Sequence, residues 1–460
     1  MTQTTQARLT RDRAGRAAAP VAVAHLGLGA FFRAHQAWYT DRAPDAEAWG
    51  IAAFTGRSPT LADQLTGQGG LYTLLEQGAD GDTCTVISSV SRARPGADLA
   101  EWLWVLAEPT TALVTITVTE AAYLRTDSGR LRLDDPQVRA DLEALRRREL
   151  ESVGTVPGRL VAGLAARHAE DATPLAVVPC DNLLHNGRAV RRVVLDLADV
   201  VDDGLAAWIR SSVSFVNSAV DRITPRTTDQ DRDAVLRATG LADACPVVAE
   251  PFSEWVIAGD FPEGRPGWEH AGAQLVTDVT PYEERKLWLL NGAHSLLAYT
   301  GSIRGHRTVA EAMADGTCVG WVEDWWAEAV PHLELPAEQL RAYCEDLRQR
   351  FANPRIRHLL AQIAMDGSQK LPVRLVPVVL AEREAGRVPN ASARTLAAWV
   401  LHLRGLGAPV DDPRADELTD LAVGPLPLVV RRVLEALDPA LGADAALADA
   451  VVAHAEELSR

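Results

Sequence analysis

Ala22-Val-Ala-His-Leu-Gly-Leu-Gly-Ala-Phe-Phe-Arg-Ala-His35 is the stretch on which the fold turns. An apolar run, Val21–Gly27, enters a turn carrying Gly27 and Gly29, and a helical pattern follows. This is how a dinucleotide-binding βα unit opens. The first glycine permits the tight turn, and the second lets the main chain approach a pyrophosphate at a helix N-terminus. The third fingerprint position is Phe32 instead of glycine, so the match is partial. The pair alone suits an ordinary turn equally well; its place at the head of an alternating chain favours the nucleotide.

Working outward, Trp49–Gly56, Thr83–Ser89, Ala112–Thr119 and Leu175–Val178 read as further strands. Helical patterns such as Pro157–Ala169 lie between them. Strands alternating with helices predict an α/β, Rossmann-type domain with a mostly parallel sheet and a ligand crevice beyond the strands' carboxyl ends. The residue that reads the ribose belongs after the second strand, where the sequence is Phe54-Thr-Gly-Arg-Ser-Pro59, without a carboxylate. Arg57 there suits the 2′-phosphate of NADP and suits a solvated loop equally, so NAD and NADP both stay open. From Pro281 the strand-like runs stop and helical periodicity takes over. The expected division is a disordered tail over 1–19, a dinucleotide-binding domain over 20–280 and an all-helical C-terminal domain over 281–460.

Pro281-Tyr-Glu-Glu-Arg-Lys-Leu-Trp-Leu-Leu-Asn-Gly-Ala-His-Ser-Leu-Leu-Ala-Tyr299 carries the chemistry. On a regular helix at about 100° per residue, with Lys286 at the origin, Glu283 falls near about 60°, His294 near about 80° and Asn291 near about 140°. The remaining positions are apolar almost all round, which predicts burial. A buried lysine is costly unless paired or used, and burial lets it exchange a proton near neutral pH. Asn291 and His294 would offer hydrogen bonds to an oxygen developing charge. Spacing equally accommodates a lysine that snorkels to solvent beside a satisfied core histidine.

Composition narrows the partners. The 460 residues include 62 acidic and 46 basic side chains, a net charge of −16 that disfavours nucleic acid and anionic membranes. The longest apolar runs fall far short of the roughly 20 residues a bilayer span needs. Five cysteines, at 84, 180, 245, 318 and 344, form no C-x-x-C pair. They give neither a disulfide framework nor a thiolate metal site, and a reducing cytoplasm is the expected location. Cys180 and His25 read as packed core residues, and Trp325 and Trp326 as packing.

Taken together, the segments resemble the mannitol dehydrogenase family of long-chain polyol dehydrogenases, which includes fructuronate reductase. The matching residues are Gly27-x-Gly-x-Phe31-x-Arg33-x-His35, Thr117-Val-Thr-Glu120, Cys180-Asp-Asn182, Val220-Asp-Arg-Ile-Thr-Pro225, Lys286-x4-Asn291-x2-His294 and Asp366-Gly-Ser-Gln-Lys-Leu-Pro-Val-Arg374. Phe32 departs from the His of many relatives. The resemblance implies NAD or NADP held at Gly27, Gly29, Phe31 and Arg33, and no catalytic metal; Arg57, from the reading of the second strand's loop, joins them as a cofactor-binding candidate. It implies Lys286 as general acid/base, Asn182 and Asn291 as an oxyanion-stabilising pair, and His294 binding substrate hydroxyls. Asp221, Arg374, Glu283 and Glu120 would support or bind substrate. The implied substrate is a small sugar alcohol or ketose, with mannitol and fructose as the lead pair. Fructuronate and mannonate are the alternative, since a guanidinium such as Arg374 can clamp a carboxylate. An inactive nucleotide-binding regulatory protein is the reading from another class.

Overall fold

In a computed structural model that describes residues 6–56 and 58–460, twelve strands among those residues fall between Val21 and Leu275. They are β1 (Val21–Leu26), β2 (Gly50–Phe54), β3 (Tyr72–Gly78), β4 (Gly81–Ile87), β5 (Val90–Arg94) and β6 (Leu113–Ile116). After these come β7 (Leu175–Pro179), β8 (Val213–Phe215), β9 (Asn217–Asp221), β10 (Val247–Ala249), β11 (Glu254–Ala258) and β12 (Gln274–Leu275). Six of them form one sheet in the order β5-β2-β1-β6-β7-β8, parallel at every pairing. Its short β-branched and alanine-rich strands are buried on both faces, as a sheet covered by crossover helices requires. Alternate residues of β1 serve two cores. Ala24 and Leu26 pack with Phe54, Trp102, Ile116 and Val193, while Val23 packs with Phe32, Tyr39, Val178 and Trp255. Strand order reverses between β1 and β6, so the crevice of a doubly wound sheet opens at their carboxyl ends.

Two expectations are corrected. Thr83–Ser89 lies mainly on β4, which pairs antiparallel with β3 in a separate sheet, β10-β3-β4. A tight hairpin closed by the Gly78–Gly81 pair turns this segment aside, and β5 takes the place beside β2. The tail expected to be disordered over 1–19 is ordered over its described part, residues 6–19. Leu9 is buried and its N–H meets Ala242 O at 3.0 Å. Arg11 donates to Gly69 O at 2.5 Å, Ser88 O at 3.0 Å and Val90 O at 2.8 Å, and Arg16 pairs with Asp41 at 2.8 Å. An arginine satisfied by main-chain carbonyls orders a segment that composition alone leaves free.

Contacts divide the chain into two units at Thr280 and Pro281. The second is helical, with long helices at Ala293–Ile303, Gly316–Ala329, Ala337–Ala352, Asn390–Leu403, Leu426–Leu437 and Ala445–Leu458. Asn390–Leu403 is buried along nearly its whole length and packs against Ala293–Ile303 and Ala445–Leu458. No helix among the described residues is long and apolar enough to cross a membrane.

Candidate active site

In the N-terminal unit the glycine turn ends β1 with Gly27 at φ 111°. Its N–H and that of Leu28 both donate to Phe54 O, at 3.0 and 2.8 Å. A Cβ on Gly27 would stand 1.9 Å from Thr117 O, so the fold itself demands glycine here. Gly29 is different. Its backbone is extended, and a Cβ would meet only Gly27 O at 3.5 Å. The chain's own packing gives no reason for a glycine there; a ligand lying against the main chain does. Gly27, Gly29, Phe31, Phe32, Thr117–Glu120, Cys180–Asn182 and Val220 line a cavity of about 400 Å³ at the switch point of the sheet. These residues fit a dinucleotide's phosphates.

Beneath the turn, His25 is fully buried, stacked on Phe32 at 3.6 Å and hydrogen-bonded to Thr115 and Thr117. Burial pushes its pKa down to about 3, so it is a neutral packing residue. Cys180 is buried with its thiol raised by desolvation, which is no setting for a nucleophile. Asp181 accepts from Tyr123 Oη at 2.5 Å and Leu183 N at 3.0 Å, and burial holds its carboxyl up at about 6. That anchored Asp181 sets the turn exposing Asn182 at the cavity rim, where Glu120 is also exposed. Asp221 is buried at the end of β9, one residue beyond the lining Val220. Arg33, expected at the cofactor, is absent from the lining. Its buried guanidinium donates to Gly29 O at 3.1 Å and to the Cys245 carbonyl, and lies over Tyr72, so it braces the turn from inside. Arg57 lies outside the described residues.

In the C-terminal unit the expected regular helix over 281–299 is interrupted. Thr280–Arg285 is α-helical, Lys286–Gly292 is a π-helix, and Ala293–Ile303 returns to α. A π-turn closes i→i+5 and holds more than four residues per turn, so the angular offset between residues five apart narrows. Lys286 and Asn291 are five apart. The offset of about 140° on a regular helix is thereby reduced, which brings the two positions toward one side of the segment. The extra residue is what sequence periodicity missed. Lys286 is half-buried, less sequestered than expected, whereas Glu283 and His294 are each only 6% exposed.

His294 lies against Phe351 at 4.7 Å and edge-on to His358 at 4.9 Å. Its Nε2 is buried without a hydrogen-bond partner among the described residues, as is Nδ1 of His358. Burial first, then His358, Arg374 and Arg350, hold the His294 pKa well below the usual range, so its imidazole is neutral. Arg374 donates to Ser295 Oγ at 3.2 Å, next to His294, and burial lowers its pKa to about 10. Lys370, on the same helix as Arg374, donates to Met365 O at 2.6 Å, and its pKa is lowered chiefly by burial. His358 and Lys370 were not singled out from the sequence. Lys370 lay inside a motif read only for Arg374, and His358 follows Arg355 and Arg357 in what reads as a charged surface loop. A third group, His306, Asp315 and Cys318, brings its ligand atoms within 4.8 Å of one another. Asp315 there accepts from Arg304 at 2.6 Å and caps a helix at Thr317 N, which commits its oxygens elsewhere.

Comparison with known proteins assigns both units. Residues 21–270 match the mannitol dehydrogenase Rossmann domain and residues 278–455 the mannitol dehydrogenase C-terminal domain. D-mannonate oxidoreductase of Escherichia coli (strain K12) is 38% identical over 84% of this chain and 80% of its own length. Mannitol 2-dehydrogenase of Pyrenophora tritici-repentis is 35% identical over 88% of this chain and 74% of its own. Among solved structures, the ternary complex of Pseudomonas fluorescens mannitol 2-dehydrogenase with NAD and D-mannitol matches with a TM-score of 0.78 at 35% identity. It covers 99% of this chain and 94% of that one.

Proposed function

The chain belongs to the mannitol dehydrogenase family, and from that premise we propose that it is an NAD-dependent oxidoreductase interconverting a secondary alcohol of a polyol or hexonate with the corresponding ketone. The observation that supports this best is the π-turn, which carries a half-buried lysine and an asparagine five residues apart and narrows the angle between them. Bound NAD would accept or supply the hydride. In the reductive direction the new alkoxide accepts a hydrogen bond from Asn291 and takes its proton from Lys286 Nζ. By the motif, Asn182 is assigned the second amide. In the oxidative direction neutral Lys286 takes the hydroxyl proton. His294, kept neutral by burial and neighbouring cations, offers its imidazole to a substrate hydroxyl. Glu283, Glu120, Asp221 and Arg374 are assigned supporting or substrate-binding parts. The proton chemistry is complete in these groups, and no metal is invoked.

Mannitol and fructose are the lead pair. One observation favours the second reading, mannonate and fructuronate: Arg350 bears positive charge on both histidines, Arg374 on His294 and Lys370 on His358. A surround of that sign suits a carboxylate-bearing substrate more than a neutral one. Incubation with NAD⁺ or NADP⁺ and each of mannitol, mannonate and arabinitol, followed by nicotinamide absorbance, tests the assignment. Turnover with mannonate alone selects the second reading. Absence of turnover with every pair leaves a nucleotide-binding regulatory protein.

A further inference from the structure

We propose that Trp325 and Trp326 are positioning residues for Lys286 and Asn291, whose indole N–H groups hold the π-turn in the register that aligns amine with amide. The inference rests on the lysine reading above.

Lys286–Gly292 is the one π-helical segment among the described residues. Such turns are rare, because the ladder must change from i→i+4 to i→i+5 and back. At these changes carbonyls leave their usual partners, and each carbonyl oxygen can accept twice. Trp325 Nε1 donates to Trp288 O at 2.8 Å, and Trp326 Nε1 donates to Leu289 O at 2.9 Å. Both carbonyls lie inside the turn, between the lysine and the asparagine. Both rings are buried, on the helix Gly316–Ala329 that packs against the turn. Gly292 completes the fit. A Cβ there would stand 2.5 Å from Cζ2 of Trp325, so the indole reaches its carbonyl only across a glycine. Hydrophobic packing explains why two tryptophan rings are buried. It does not explain why two successive indoles meet two successive carbonyls of this turn. Were the segment to relax to a regular α-helix, the angle between Lys286 and Asn291 would widen to about 140°.

The test is kinetic, on the full chain. Trp325→Phe, Trp326→Phe and the double variant keep an aromatic ring and delete the N–H; Lys286→Ala is made alongside. Trp321→Phe is the control, because Trp321 on the same helix lies under Arg304 and Arg394. Each single indole variant is expected to lower kcat about tenfold, the scale of one lost hydrogen bond. KM for the dinucleotide should hold, and the pH midpoint of kcat set by the lysine should move. Trp321→Phe should leave all three unchanged. A lower melting temperature with native kcat and pH midpoint would mean that the indoles only stabilise the fold, and the proposal would be overturned. If the double variant does not fold, the single variants are read the same way. The two readings fail separately. Lys286→Ala retaining turnover sinks the lysine assignment and the positioning role with it, whereas inactive Lys286→Ala beside fully active indole variants sinks the positioning role alone.

Discussion

The two functional regions are built by opposite means. In the N-terminal cavity the main chain does the work: Gly27 is forced by a 1.9 Å approach to Thr117 O, and Gly29 leaves open space. In the C-terminal unit the candidate groups are side chains, carried on a main chain that departs from its regular helical form. A backbone device is written into residue identity, because only glycine can satisfy it. A register device is written across distant residues: the indoles that meet the carbonyls of the π-turn lie 37 positions further along the chain.

The comparison can be broken at either end. Lys286→Ala has the largest expected effect, a loss of about 10²–10⁴ in turnover with dinucleotide affinity intact; fluorescence titration of NADH and steady-state rates check it, and equal loss of both would refute the division of labour. Gly27→Ala should strike the other region. Its positive φ and main-chain clash predict a destabilisation of at least about 2 kcal/mol together with lost nucleotide binding, measured by denaturant unfolding and titration. The cores differ in acid as well. The His25 pKa is depressed to about 3 in the fold, against an ordinary unfolded value near about 6.5. The unfolded chain therefore binds the extra proton below that value, and stability falls as pH drops from about 6.5 toward 3, by roughly 1.4 kcal/mol per unit. Above about 6.5 this group contributes no slope. His25→Asn should flatten the dependence by one proton; an unchanged slope would place the titration elsewhere.

Smaller effects sharpen the contrast. Gly29→Ala, unlike its neighbour, should leave the melting temperature unchanged and weaken NAD binding about tenfold, or about 1.4 kcal/mol, because a methyl group enters only the ligand's space. A chelator should change nothing: turnover after prolonged EDTA dialysis is expected to equal that of the untreated enzyme.

The sequence carried the parallel sheet because β1, β2, β6 and β7 are buried on both faces and end in turn residues. It misled at Thr83–Ser89, where a β-rich segment folds into a hairpin of its own; composition reports strand character but not which sheet receives it. Lys286, Asn291 and His294 were legible as a pattern. Their alignment was not, since fixed helical periodicity has no place for an inserted residue. His358 and Lys370 were obscure for another reason: each is flanked by charged or polar residues that look solvated until the chain folds over them.

The order of residues 6–19 has a practical side. Arg11 and Arg16 tie residues 6–19 to the β5 edge and to Asp41, whose carboxylate also receives Ser88 N at 2.7 Å. Those few amino acids act as a cross-brace between the large sheet and its small neighbour. Trimming them to tidy an expression product, or nicking them with a protease, would loosen the nucleotide-binding half from its outer edge inward; an affinity handle is better placed at the opposite terminus.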